Sequence, residues 1–209
     1  MTSVSVSPRQ RLLDAAIAYV AGHGLTDLSL RRLAEELGTS HRMLIHHFGS
    51  KQGLWVAIVR EVEARQIAAV ADLEPDPGIS VGDAMRAWWR HISDASLWPN
   101  ERLFFELYGQ GLHGREPAAE MLDGIVDSWL EPSARLAVRL GMAPEHALPF
   151  ARLGIAVTRG LLLDLLATGD REAVDAAMEH WIRLNEPLFA PTAREGTRSA
   201  QQLGQPDAG

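Results

Sequence analysis

Residues 29–54 read SLRRLAEELGTSHRMLIHHFGSKQGL. Two short apolar runs lie in this stretch. One carries Leu30, Leu33, Ala34 and Leu37, the other Leu44 and Phe48. Between them stands Gly38, able to take the positive φ that a tight turn demands. A hydroxyl precedes each run. Ser29 (with Asp27 as the other candidate) can cap the first helix and Ser40 the second, each satisfying exposed amides at a helix start. Phe48-Gly49 ends the second run, and Ser50 can cap a longer helix beginning at Lys51. The spacing predicts two short helices, the second over 41–47, joined by Leu37-Gly38-Thr39-Ser40. Ala34 is small enough to let them cross closely. With Leu33, Leu37, Leu44 and Phe48 turned to a core, Arg42, Ile45 and His46 share an outer face at i, i+3 and i+4. His41, Met43 and His47 flank it. A polar face with a few apolar points suits a helix that reads base edges in a major groove. The same geometry also occurs as plain helix packing.

Outward from this unit the periodicity stays helical, with no convincing alternation of period two. Pro8 opens a first helix with Leu13, Ala16, Ile17 and Val20 on one stripe, closed by Gly22 and Gly24. The helix capped by Ser50 carries Leu54, Trp55, Ile58 and Val62 out to about Leu73. Glu74-Pro75-Asp76-Pro77-Gly78 is the clearest break in the chain. Beyond it, Ser80 and Asp83 resemble a capping box for a helix ending by Trp98-Pro99. Further helices are expected over 100–112, over 116–140 with a kink at Pro132, over 144–168 with Gly169 as its stop, and from an Asp170 cap to near Leu188. From Pro191 the tail lacks apolar periodicity and reads as disordered. The expectation is an all-α chain of about nine helices. A three-helix head spans 8–54, a connecting helix 50–73, a helical body 79–189 and a tail 190–209.

The head resembles the DNA-binding region of the tetracycline-repressor (TetR) family of transcriptional regulators. The matching residues are Ser29, Ala34, Gly38, Ser40, His47, Phe48, Ser50, Lys51 and Leu54. The resemblance implies a helix-turn-helix that binds palindromic operator DNA, most often as a repressor. It also implies a body that holds a small-molecule inducer and pairs with a second copy. The contacts it implies come from Ser29, Thr39, Ser40, His41, Arg42, Met43, Ile45, His46, His47 and Lys51. Lys51, at a helix N-terminus, is placed for a phosphate. Two departures matter. Ile45 stands where the family usually has a phosphate-touching tyrosine, and Arg42-Met43 where it often has a small residue. Arg42 is suited to a guanine O6 and N7, Ile45 or Met43 to a thymine methyl.

In the body, the candidates for an apolar, inducer-binding cavity are Met85, Trp88, Trp89, Phe104, Phe105, Tyr108, Met121, Ile125 and Trp129, with His91, His113 and Arg159 as polar points. They suggest an apolar or aromatic compound, although apolar residues at helical spacing also make an ordinary core. Leu153, Ala156, Val157, Gly160, Leu161 and Asp164 run along one side of the penultimate helix. Ala173, Ala177, Trp181 and Leu184 do so on the last. By the resemblance these form a four-helix bundle with the partner of a homodimer. Completion of the chain's own core is the alternative.

Composition narrows the remaining classes. The chain lacks cysteine, which excludes disulfides and thiolate zinc sites and fits a cytoplasmic protein. Met1 to Ser7 has neither the basic start nor the apolar run of a signal peptide. Even Leu161 to Ala167 is interrupted by Asp164, so no membrane span is expected. The net charge is −7, unevenly spread. The first 70 residues carry 8 Arg and Lys against 6 Asp and Glu, the rest 12 against 21. A mildly basic head on an acidic body can turn one face to phosphates. His41, His46 and His47 lack the i, i+4 spacing of a metal pair, so no metal is expected. There is no nucleophile elbow, phosphate loop, zinc-protease motif or dinucleotide fingerprint, so neither an enzyme nor a cofactor is expected. A helical interaction module that has lost DNA binding remains the alternative.

Overall fold

The computed structural model describes residues 7–23, 28–73 and 78–189. These form ten α-helices: α1 (Pro8–His23), α2 (Leu30–Glu36), α3 (His41–Phe48), α4 (Lys51–Ala71), α5 (Val81–Ile92), α6 (Trp98–Leu112), α7 (Ala118–Met121), α8 (Asp127–Arg139), α9 (Pro144–Thr168) and α10 (Arg171–Asn185). Two 3-10 turns, Ala95–Leu97 and Glu186–Phe189, complete the helical elements, and no strand occurs among the described residues. The Asp27 cap, the helix stop at Gly24, the break at 74–77 and the tail 190–209 lie outside the described residues.

The head forms as its local chemistry directs. Ser29 Oγ accepts from the Arg32 amide at 3.2 Å, Ser40 Oγ from Met43 at 3.2 Å and Ser50 Oγ from Gly53 at 2.9 Å. Each satisfies one orphan donor of a helix start. Gly38 takes φ +62° in the turn. Gly53 is required for a different reason. A Cβ there would sit 2.1 Å from the Phe48 carbonyl oxygen, so only glycine lets α4 start this close to the end of α3.

Leu13, Ala16, Ile17, Val20, Leu33, Leu44 and Leu54 close the head's core. That core continues without a break through Ile58 and Val59 of α4 into Leu103 and Leu107 of α6 and Met121 of α7. The head is therefore seated on the body by shared apolar packing. A second cluster joins Trp89 and Ile92 of α5 to Leu162 and Leu165 of α9 and Val174, Met178 and Ile182 of α10. Arg86 fastens α5 to α10 with two parallel bonds to Glu179, at 2.7 and 2.9 Å.

Two helix boundaries differ from expectation. The fifth helix stops at Ile92, because Asp94 accepts from the Ser96 amide and starts a separate turn. Pro99 then stands in the first turn of α6, where its missing N–H leaves nothing unpaired. The helix expected over 116–140 is two, α7 and α8. Gly124, at φ +73°, turns the chain between them, and the Ser128 amide bonds back to the Gly124 carbonyl. Pro132 lies inside α8, which runs on to Arg139.

Candidate nucleic-acid interface and inner cavity

α3 buries Leu44 and Phe48 and turns the rest of its surface outward. His41, Arg42, Met43, Ile45 and His46 are all exposed. Met43 and Ile45 are large apolar side chains left partly open to solvent. Lys51 is exposed at the first position of α4, its ammonium 5.8 Å from the Trp55 ring centre. Thr39 is half-buried, while Ser29 and Ser40 are exposed. Their hydroxyl oxygens accept from backbone amides, which leaves each hydroxyl proton to donate elsewhere. His47 differs from its neighbours. It is half-buried, and its Nε2 is shielded from solvent with no hydrogen-bond partner among the described residues. Among the described residues no three His, Asp or Glu gather closely enough to hold a metal.

The body encloses a cavity of about 210 Å³ among α4, α5, α6, α8, α9 and α10. Of the residues anticipated for it, Met85, Trp88, Trp89, Phe104, Trp129 and Arg159 line the wall. The others do not. α6 delivers Phe104 inward and turns Phe105 about 100° away. Phe105 and Tyr108 pack against the head-side core, in which Met121 and Ile125 are buried. These four are cement between head and body. His91 and His113 are exposed.

The wall's polar groups come from positions that apolar periodicity passed over. Glu63 and Gln66 project from α4, Glu101 from α6. Glu63 accepts from the Trp129 indole N–H at 2.8 Å and from Arg159 Nη2 at 3.2 Å. Arg159 also donates to the Ile125 carbonyl at 3.1 Å and lies over the Phe104 ring, 5.1 Å from its centre. Burial pushes the Glu63 carboxyl up, opposed by Trp129 and Arg159. Burial raises Glu101 to about 7, with the neighbouring Glu63 charge adding to the shift and Gln66 and Arg159 opposing it. A signal for these residues was present. Glu101, Phe104 and Tyr108 share an i, i+3, i+7 stripe, as do Glu63, Gln66 and Val70. A carboxylate within an apolar stripe is a site candidate.

Phe150, Trp181 and Phe189 complete the aromatic wall. Trp181 was expected on a dimer face. Instead it is half-buried and stacked on Phe150, ring centres 6.1 Å apart and planes 13° apart. It stands one turn from the buried Met178, on the inner side of α10. Val157 and Leu161 also turn inward, packing on the cluster around Leu162. Leu153, Ala156, Gly160 and Asp164 on α9, with Ala173, Ala177 and Leu184 on α10, are exposed. A Cβ on Gly160 would meet no atom of the described residues within 4 Å.

Residues 12–58 match the model of the bacterial regulatory proteins of the tetR family. The transcriptional repressor AcnR of Corynebacterium efficiens is 39% identical over 67 residues, which cover 32% of this chain and 36% of that repressor. The chain thus aligns with about a third of the length of the AcnR proteins it matches. The transcriptional regulator SrpR of Pseudomonas putida is 27% identical over 191 residues, 86% of each chain. Among solved structures, a TetR-family member from Streptomyces coelicolor superposes with a TM-score of 0.55 at 28% identity, covering 85% of this chain and 98% of that one. No described helix is long and apolar enough to cross a membrane. Motif and fold agree: residues 12–58 carry the DNA-binding region of the tetR family, and the rest of the chain is similar to TetR-family regulators in its fold.

Proposed function

We propose that the protein is a DNA-binding transcriptional regulator, a repressor that leaves a palindromic operator when a small molecule fills the inner cavity. One observation carries this reading: α4 belongs to both sites. Lys51 starts the helix beside the outer face of α3, and Glu63, Gln66 and Val70 of the same helix form cavity wall. Arg65, between Glu63 and Gln66, pairs with Asp14 of α1 and with Glu61. A ligand that reseats Glu63 acts on a helix bonded to the head two residues away. Ligand and DNA then bias one equilibrium, and their coupling is reciprocal.

In this reading 8–54 is the reader, 50–73 the transmitting helix and 79–189 the sensor and dimer domain. α3 enters the major groove, where Arg42 addresses a guanine and Met43 or Ile45 a thymine methyl. Ser29, Thr39, Ser40, His41, His46, His47 and Lys51 serve the backbone and flanking positions. The second copy docks on the exposed side of α9 and α10. Leu148, Leu153, Leu163 and Leu184, exposed in the isolated chain, support that assignment. Two-fold pairing sets the reading helices about 34–36 Å apart, one helical turn of DNA. The ligand is an apolar or aromatic molecule, and the setting is the cytoplasm.

The test is fluorescence anisotropy of the full chain on DNA from upstream of its own gene, beside a scrambled duplex, across a salt series. Selective binding that weakens steeply with salt is expected, because phosphate contacts release counterions. Absence of any binding to either duplex at low salt would sink the reading.

A further inference from the structure

The cavity holds an imbalance of charge. Three ionisable side chains line it: Glu63, Glu101 and Arg159. Arg159 is already paired, its Nη2 donating to Glu63 and to the Ile125 carbonyl while the guanidinium lies over the Phe104 face. Glu101 is left without a cationic partner, only 9% exposed. The rest of the wall is mostly apolar, and its aromatic members include Trp88, Trp129, Phe150 and Trp181. Trp88 and Trp129 stand edge to face, 6.4 Å apart, a geometry that presents a ring face beside a ring edge. Ring faces and a surplus buried carboxylate both attract positive charge and repel negative.

From this we infer that the cavity is selective for a compact aromatic organic cation, an amine or quaternary ammonium, whose charge sits against Glu101 and the indole faces. The inference rests on the reading of this cavity as the regulator's ligand site. The volume of about 210 Å³ lies below the roughly 300–1,000 Å³ of drug-sized sites, so the ligand is small. An anion is disfavoured, because the charge of the one guanidinium present is already paired with Glu63, beside a second carboxyl, Glu101. The groups facing Glu101 are Glu63 and Gln66 from α4 and Arg159 from α9. None supplies a free positive charge. A bound cation pairs with the ionised carboxylate, so its affinity rises as pH climbs through about 7, where Glu101 gives up its proton.

The experiment is calorimetric titration of the full chain with three probes: phenyltrimethylammonium, tert-butylbenzene and benzoate. The first two share one shape and differ by the charge, since a carbon replaces the quaternary nitrogen. Phenyltrimethylammonium is expected to bind about tenfold or more tighter than tert-butylbenzene, with benzoate weakest. Its affinity should increase between pH 6 and pH 8 while that of tert-butylbenzene stays level. Glu101→Gln should remove most of the preference and leave tert-butylbenzene affinity within about twofold. A hydrophobic cavity with no charge preference favours the neutral probe instead, so tert-butylbenzene binding as well or better overturns the inference. So does failure of all three to bind, or equal loss of both probes in Glu101→Gln. The wild-type comparison decides the matter even if that variant does not fold. Anisotropy on DNA separates this inference from the one beneath it. Cation preference with no change in DNA affinity upholds the cation site and removes the ligand-response reading. DNA release by tert-butylbenzene without cation preference does the reverse.

Discussion

The head and the cavity are built by opposite rules. In the head, groups that meet are close in sequence: Ser40 with Met43, Ser50 with Gly53. Its apolar side chains go inward, Met43 and Ile45 on the outer face of α3 excepted, and its polar ones outward. In the cavity, partners come from far apart. Trp129 meets Glu63 across 66 positions, and Arg159 meets it across 96. There the polar groups point in. A helix-turn-helix can therefore be specified by a short run of residues, whereas a ligand site needs the whole body to be packed before it exists. The packing also differs, being tight in the head and open around the cavity, and that difference can be attacked directly.

Leu33 is 0% exposed at the centre of the head. Leu33→Ala should cost about 2–5 kcal/mol, the lost transfer energy plus the new void. Phe150→Ala removes more atoms, yet it should cost less. The Phe150 ring is half-buried and already borders empty volume, so it forfeits fewer contacts. Urea midpoints at unchanged slope would compare the two. The reverse order would break the contrast between a close-packed head and an open cavity.

The second prediction concerns the inward polar groups. Burial lifts Glu101 from the ordinary carboxylate range to about 7, so the folded state holds its proton more tightly than the unfolded chain. Stability contributed by the neutral acid is therefore present at low pH. It is lost as pH rises through that window, and by pH 8 the ionised group is a net burden. Glu101→Gln should raise stability at pH 8 by up to about 3 kcal/mol and have little effect at pH 4.5. Thermal or urea unfolding at the two pH values checks it. An equal effect at both would mean that the side chain's shape matters and its charge does not.

The same contrast explains how much was legible. The caps at Ser29, Ser40 and Ser50, the Gly38 turn and the exposed face of α3 follow from local propensity and spacing, and the structure has them where they were expected. Helix α9, from Pro144 to its Gly169 stop, is equally local. Gly53 escaped notice, because its need is steric: the α3 carbonyl it must clear belongs to another helix. In the body, periodicity marks an inner face but does not say what that face meets. Phe104, Phe105 and Tyr108 share a helix, yet only Phe104 reaches the cavity. Met121 and Ile125 were indistinguishable from lining residues until α7 was seen to seal the joint between head and body. Trp181 shares the spacing of a dimer face, but its ring stacks on Phe150, a partner that helical spacing alone does not reveal.

Arg42 sharpens the contrast from the outer side. It is exposed and pairs with no side chain among the described residues, so Arg42→Ala should leave the unfolding midpoint unchanged. On DNA it should cost about 1–3 kcal/mol at a single base position. Binding to a set of singly substituted operators, once the operator is known, tells base reading from phosphate contact. A uniform loss across the set would assign Arg42 to the backbone.

In the proposed reading Ser40 is the residue at which folding and DNA contact would overlap, and its effect is the smallest. Its hydroxyl caps α3, and its place at the tip of the reader also suits a phosphate contact. Ser40→Ala should cost about 1 kcal/mol of stability through the lost cap. That change alone cannot separate the two roles, because a frayed α3 also reads DNA badly. Ser40→Asp can. Aspartate caps as well as serine, and its charge is favourable at a helix N-terminus, so stability should hold or rise slightly. Beside a phosphate, the same charge repels. Preserved unfolding together with weakened DNA binding would place Ser40 at the backbone. Preserved unfolding with unchanged binding would confine it to the cap, and the contact surface would then begin at His41.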